Sequence, residues 1–267
     1  MRFGCCTNMI ATKADSTGME HIEQLSKAGY DYIELPLAQI MNLSEKEFSN
    51  LKGQLKKLNI PCEACNNFFP ADIRLTGPDV NMEIVYKYVE TSLLRASELG
   101  AGVIVFGSSG AKNIPEGFPF EEAWEQLVFL LRVINSQVKK HGITIAIEPL
   151  NKNESNIVNT LGDGLKLAEE VDGENIKLLV DYYHFSMENE EISSLKTAEG
   201  YIKHVHLARP EGRCFPYTAD GENYSLFLTK LKEVGYKDRI SIEAYSKDFK
   251  NDFSKGLECL KTCSKLL

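Results

Sequence analysis

The sequence predicts one α/β domain spanning residues 1–267 and folded as a single (β/α)8 TIM barrel. Eight strand-like runs alternate with amphipathic helical stretches, about 33 residues per unit, which is the count expected of such a barrel. A doubly wound sheet is the alternative, but the segment GCCTNM after the first strand contains one glycine and no dinucleotide-binding fingerprint. No Pro/Gly/Ser-rich linker marks a domain boundary.

The predicted strands are short runs of apolar and β-branched residues, several of which end in a polar side chain. In chain order they are RFGCCTN, YDYIELP, IPCEACN, GVIVFGS, ITIAIEP, IKLLVDY, IKHVHLA and ISIEAY.

The stretches between the strands carry apolar residues at helical spacing. Ser44 and Glu47 have the spacing of a capping box, and Gly29, Gly100 and Gly142 stand where three helices are expected to end. The predicted helices cover 20–27, 44–58, 81–99, 120–140, 161–171, 189–199, 223–234 and 251–265.

Composition excludes several classes of protein. A hydrophobic content of 43% is enough for a large core, and a net charge of −8 without a Lys/Arg block disfavours a nucleic acid partner. No apolar run has membrane-spanning length, and MRFGCCTNMI is too polar for a signal segment, so we expect a cytoplasmic protein without a membrane partner. The seven cysteines argue against a disulfide framework, and we interpret the CxxC of Cys62 and Cys65 as small-residue packing.

Ionisable side chains end the four late strands, where a barrel of this class carries its active site. Strand alternation predicts that these residues point into the barrel. The set comprises Glu148, Asp181, His206 and Glu243. One such residue is usually a turn former or a core group, but four at one level indicate a site. Crowded carboxylates repel, so a divalent cation is expected, and the mostly oxygen ligand set favours Mn²⁺ or Mg²⁺, with Co²⁺ or Zn²⁺ as substitutes.

The motifs IEPLN, VDYYH, HVHLA and SIEAY, which contain these four residues, resemble the metal-binding set of the sugar isomerase/epimerase superfamily with xylose-isomerase-like TIM barrels. The resemblance covers the whole chain and is closest to the D-tagatose and D-psicose 3-epimerase branch, with hydroxypyruvate isomerase nearby. It implies that the four residues bind the metal and that Glu148 and Glu243 are catalytic.

The resemblance also implies substrate-binding residues. Glu154 lies six residues beyond Glu148, and His184 lies three beyond Asp181, as in the ketose 3-epimerases. An arginine follows the strand-seven histidine at a family spacing of six; here Arg213 lies seven residues on and Arg209 three, and we favour Arg213. The ends of the early strands are expected to add contacts from Cys65, Asn67 and Gly107.

The implied function is a divalent-metal-dependent ketose epimerase or isomerase, which abstracts a proton next to a carbonyl through a metal-stabilised enediolate. Glu148 and Glu243 would exchange the roles of proton acceptor and donor. A hydroxypyruvate isomerase-like enzyme, an inosose dehydratase-like lyase and a non-catalytic metal-binding barrel remain open alternatives. The expected partner is a small unphosphorylated sugar, and the family implies a homodimer or homotetramer.

Overall fold

The computed structural model describes residues 1–218 and 223–265. Eight parallel strands form a closed barrel in chain order, in which β8 pairs with β1, and this confirms the predicted (β/α)8 TIM barrel. The strands are β1 Arg2–Cys6, β2 Tyr32–Pro36, β3 Cys62–Asn66, β4 Val103–Phe106, β5 Thr144–Ile147, β6 Ile176–Asp181, β7 Ile202–Leu207 and β8 Arg239–Ile242.

Helices follow the strands and cover the outside of the barrel. Several helices begin and end at the predicted capping residues. Ser44 and Glu47 form a reciprocal capping box, and Gly29 and Gly100, which end two helices, adopt positive φ values of 87° and 88°. The helices are α1 Ile22–Ala28, α2 Leu37–Met41, α3 Glu45–Leu58, α4 Met82–Leu99, α5 Ser109–Lys112, α6 Phe120–Val138, α7 Leu161–Val171, α8 Tyr182–Met187, α9 Tyr224–Glu233 and α10 Phe249–Lys265.

The helix predicted over 189–199 is a 3-10 helix of seven residues rather than an α-helix. A further helix, which was not predicted, begins directly at the end of β6, where the side chain of Asp181 accepts a hydrogen bond from the backbone N–H of Tyr183 and caps α8. Asn189 then adopts a left-handed conformation with φ of 55°, which no helix can continue, and only a 3-10 helix follows, at Ile192–Ala198. The early start of α8 holds His184 above the mouth of the barrel.

Side chains alternate across the strands as predicted. Ala146 belongs to a small apolar cluster inside the barrel, while Ile145 and Ile147 belong to the larger core between strands and helices. This parity turns the polar residues at the late strand ends inward.

All seven cysteines are free thiols, and no helix among the described residues is long and apolar enough to cross a membrane.

Candidate active site

Four buried ionisable side chains meet at the carboxyl-terminal mouth of the barrel. One oxygen or nitrogen atom from each residue lies within 4.8 Å of the corresponding atoms of the other three. Their exposed fractions do not exceed 6%, so water does little to screen the charges. The cluster comprises Glu148, Asp181, His206 and Glu243, the set predicted from the strand ends.

His206 joins the two glutamates of this cluster. Its Nδ1 lies 3.3 Å from Glu148 Oε1 and 3.3 Å from Glu243 Oε2. Neither Nδ1 nor Glu148 Oε1 has a hydrogen-bond partner within the described residues. A ring nitrogen between two carboxylate oxygens must carry a proton or share a cation with them, and these atoms therefore fit a metal ion.

The other face of His206 is held by a buried carboxylate. Glu34 Oε1 lies 3.0 Å from His206 Nε2, and Glu34 Oε2 lies 2.7 Å from His204 Nε2 and accepts a hydrogen bond from Ser241 at 2.6 Å. Burial opposes ionisation of Glu34, but the two histidines outweigh it and hold the pKa of Glu34 well below its usual range. An ionised Glu34 accepts the proton on Nε2, which leaves Nδ1 as the ligand atom of His206.

The carboxyl groups of the cluster titrate differently. Burial raises the pKa of Glu148, and it raises the pKa of Asp181 to about 7. Burial also opposes ionisation of Glu243, but the positive charges of His206 and Arg213 outweigh it and lower the pKa of that carboxyl. A divalent cation among these oxygens would favour the ionised form of all three carboxylates, which is a second sign that the donor set fits a metal.

His184 lies beside the cluster in a defined tautomer. Two N–H donors of Asn151, from the backbone at 3.2 Å and the side chain at 2.7 Å, face His184 Nδ1. Burial and the charge of Arg213 lower the pKa of His184 to about 3, so the ring is neutral. The Asn151 donors place the ring proton on Nε2, which lies 3.5 Å from Asp181 Oδ2 and 3.4 Å from Arg213 Nη2 on the side of the cluster.

Arg213, rather than Arg209, reaches the cluster. Arg213 Nη2 donates to Glu243 Oε2 at 2.5 Å, and Nη1 lies 3.4 Å from both carboxylate oxygens of Glu154. Arg213 adopts a positive φ of 45°, and its carbonyl accepts a hydrogen bond from Tyr245. Arg209 instead lies over the ring of Tyr217, 5.4 Å from its centroid. Glu154, His184 and Arg213 thus form one side of the site.

The three substrate-binding residues expected from the early strands lie in different places relative to the cluster. Cys65 faces the helices, is fully buried in the outer core and is not brought to the cluster. Its neighbour Asn66 points inward instead and donates to Glu243 Oε1 at 3.1 Å. Gly107 lies against Glu148, since a methyl group added to its Cα would stand 2.1 Å from Glu148 Oε2. Asn67 lies just beyond Asn66 and lines a separate cavity.

Three further residues at the site were not singled out by the sequence analysis. Glu34 carried a signal, because a carboxylate inside the apolar run YDYIELP has no solvent to face. Asn66 carried none beyond its inward parity. Lys112 is fully buried and donates from Nζ to the carbonyl of Glu148 at 3.1 Å, and burial lowers its pKa to about 8.

The family model of the xylose isomerase-like TIM barrel matches residues 22–263, so the chain belongs to this family. Relatives of the chain are named as sugar epimerases, which makes it an enzyme of the sugar isomerase/epimerase type.

Individual relatives share the fold at low sequence identity. The chain is 24% identical over 234 residues to D-psicose 3-epimerase from Ruminiclostridium cellulolyticum, covering 84% of this chain and 77% of that protein. It is 23% identical to 3-dehydro-D-guloside 4-epimerase from Escherichia coli, and the match covers 92% of this chain and 94% of that protein. A solved structure of D-allulose 3-epimerase from Methylomonas sp. in complex with D-allulose superposes with a TM-score of 0.84 at 21% identity, covering 98% of this chain and 96% of that one.

Proposed function

We propose that this protein is a divalent-metal-dependent ketose epimerase, which inverts a carbon next to a carbonyl by removing a proton from one face and returning one to the other. The observation that carries the proposal is the pair Glu148 and Glu243, which directly follow β5 and β8 and each lie 3.3 Å from the same nitrogen of His206. The names of the two relatives given above, D-psicose 3-epimerase and 3-dehydro-D-guloside 4-epimerase, support the same class of reaction.

The proposed metal ligands are the four residues of the cluster. The set of three carboxylates and one imidazole favours a hard divalent ion, and we propose Mn²⁺, with Mg²⁺, Co²⁺ or Zn²⁺ as substitutes. When bound, such an ion polarises a substrate carbonyl as a Lewis acid and favours loss of the neighbouring proton.

The two glutamates act as acid and base in this proposal. Their environments move their pKa values in opposite directions, upward for Glu148 by burial and downward for Glu243 by His206 and Arg213. These directions belong to the metal-free site, and a bound divalent cation would favour the ionised form of both carboxyl groups. In the proposal, one glutamate removes the proton from one face of the reacting carbon and the other returns a proton to the opposite face, and the roles exchange with the direction of the reaction.

Three other side chains orient the substrate. The Nε2–H of neutral His184 and the guanidinium of Arg213 donate hydrogen bonds where negative charge develops on the substrate oxygens. Glu154, which is 3.4 Å from Arg213 and partly exposed, accepts a hydrogen bond from a substrate hydroxyl.

The proposal also includes a single domain for the whole chain, a cytoplasmic location and a homodimer or homotetramer, all from the sequence and its family resemblance.

The test is deuterium incorporation in D₂O by the Mn²⁺-loaded protein, followed by proton NMR with free ketohexoses, ketopentoses and hydroxypyruvate. Deuterium at C3 together with a new epimer supports the proposal. Deuterium at C1 with an aldose product would replace it by aldose–ketose isomerisation, and loss of water from an inosose would replace it by a lyase.

Matched variants test whether Glu148 and Glu243 act as the acid and base. Glu148→Gln and Glu243→Gln are each expected to lower the exchange rate about 10²–10⁴-fold, the usual contribution of a general acid or base. Glu98→Gln, at an exposed ion pair with Lys52, serves as the control and is expected to retain the rate. Full activity of either cluster variant would remove that glutamate from the mechanism.

A further inference from the structure

A cavity of about 320 Å³ lies at the carboxyl ends of β2, β3 and β4, at the same mouth of the barrel as the cluster. Two of its lining residues are chain neighbours of residues that touch the proposed bases. On one side Asn67 directly follows Asn66, which donates to Glu243 at 3.1 Å. On the other side Ser108 directly follows Gly107, which lies against Glu148.

The lining of the cavity is polar but uncharged. Its residues include Gln39 and Asn42 after β2, Asn67 and Phe69 after β3, and Ser108 and Ser109 after β4. None of the residues that line it is an acid, a lysine or an arginine. A phosphate or a carboxylate would meet no charged side chain in this lining, whereas a neutral molecule with many hydroxyl groups would meet neutral donors and acceptors.

Three amide side chains, those of Gln39, Asn42 and Asn67, line this wall. Within residues 1–218 and 223–265, Gln39 Oε1 is buried without a hydrogen-bond partner, whereas Asn42 is exposed and Asn67 is half-buried. Each amide offers two donors and an acceptor, and buried polar atoms of this kind are normally satisfied. Vicinal hydroxyl groups, which donate and accept side by side, match this arrangement.

Backbone strain lies in the same wall. Asn67 and Ser108 adopt left-handed conformations with φ of 47° and 32°, although neither is glycine. Non-glycine residues in such conformations cluster at sites that bind ligands. The backbone N–H of Phe69 donates to Ser108 Oγ at 3.0 Å, so the two strained segments are tied together across the cavity.

We propose that the cavity is a subsite for a second, uncharged sugar ring, so that the substrate is a glycosylated ketose rather than a free monosaccharide. The keto sugar reacts over the cluster, and the glycosyl ring occupies the cavity, which at about 320 Å³ lies at the small end of the range for small-molecule sites and has room for one ring. This inference rests on the proposed function for the placement of the reacting ring.

The experiment compares D-fructose with 6-O-α-D-glucopyranosyl-D-fructose on the Mn²⁺-loaded protein, with kcat and KM from deuterium incorporation and Kd from calorimetry. The glucosylated sugar is expected to have a KM about tenfold lower, the effect of one or two additional hydrogen bonds. Asn42→Trp, which fills the cavity, is expected to abolish this difference. Ser136→Trp, an equally large change on the exposed face of α6, is the control and is expected to preserve it.

Equal KM values for the two sugars in the unaltered protein, or a preference that survives in Asn42→Trp, would overturn the subsite. If neither sugar exchanges deuterium, the proposed function fails, and calorimetry then decides the subsite separately. Binding of the glucosylated sugar that is lost in Asn42→Trp supports the subsite even then, and no binding overturns it.

Discussion

Glu34 and His206 form a hydrogen bond of 3.0 Å across the interior of the barrel, between strands that are not neighbours. Both side chains are fully buried, and the bond leaves His206 Nδ1 facing the carboxylates of Glu148 and Glu243. The orientation of the only imidazole in the proposed metal set thus depends on a carboxylate 172 residues away in the chain.

Glu34→Gln is expected to weaken Mn²⁺ binding by about 10–100-fold, because loss of the carboxylate partner frees the ring and lowers the basicity of Nδ1. Calorimetric titration of the metal-free protein with Mn²⁺ measures the change. Glu47→Gln, at the exposed start of α3, controls for removal of a charge. An unchanged Kd in a folded Glu34→Gln protein would show that Glu34 does not orient the ligand.

Gly107→Ala is expected to displace the Glu148 carboxylate, since the new methyl group would stand 2.1 Å from Oε2. Both the Mn²⁺ affinity and the deuterium exchange rate should fall at least tenfold. Gly102→Ala is the matched control, because a methyl group there meets no described atom within 4 Å. Similar behaviour of the two variants would mean that the tight contact at Gly107 has no consequence for the site.

Arg213→Ala is expected to lower the exchange rate about 10²-fold, since it removes a donor to developing negative charge. It also removes one of the charges that lower the pKa of Glu243, so that carboxyl becomes a weaker acid. Arg209→Ala is expected to retain the rate, because Arg209 lies over Tyr217 rather than at the cluster. A larger loss in Arg209→Ala than in Arg213→Ala would reverse the assignment made from the structure.

Lys112 is expected to make stability depend on pH in the alkaline range. Its pKa is about 8 in the folded protein and 10.5 in the unfolded chain, so between these values the unfolded chain binds more protons and stability rises with pH. From pH 8 to pH 9.5, the unaltered protein should gain about 2 kcal/mol in unfolding free energy relative to Lys112→Met.

Urea unfolding at the two pH values measures this difference. Lys56→Met, at an exposed position on α3, is the control and should follow the unaltered protein. Parallel pH profiles for the unaltered protein and Lys112→Met would show that Lys112 keeps an ordinary pKa on folding.

Local patterns in the sequence determined most of the fold and the core of the site. The alternation of strand and helix periods predicted the barrel, because each period depends only on residues a few positions apart. The same alternation predicted the inward direction of Glu148, Asp181, His206 and Glu243, which the structure brings together. It did not predict α8, which begins directly after β6 at the capping side chain of Asp181, and the range 189–199 contains a 3-10 helix rather than an α-helix.

Only the tertiary structure decided which distant groups support that core. Closure of the barrel, which no local pattern encodes, brings Glu34 to His206. Spacing from His206 favoured Arg213 over Arg209, but the contact between Arg213 and Glu243 depends on a loop conformation with a positive φ, which spacing does not encode. Strand parity and loop packing likewise put Asn66 rather than Cys65 at the site. These contacts join segments far apart in the chain, and their energies depend on packing that exists only once the barrel has closed.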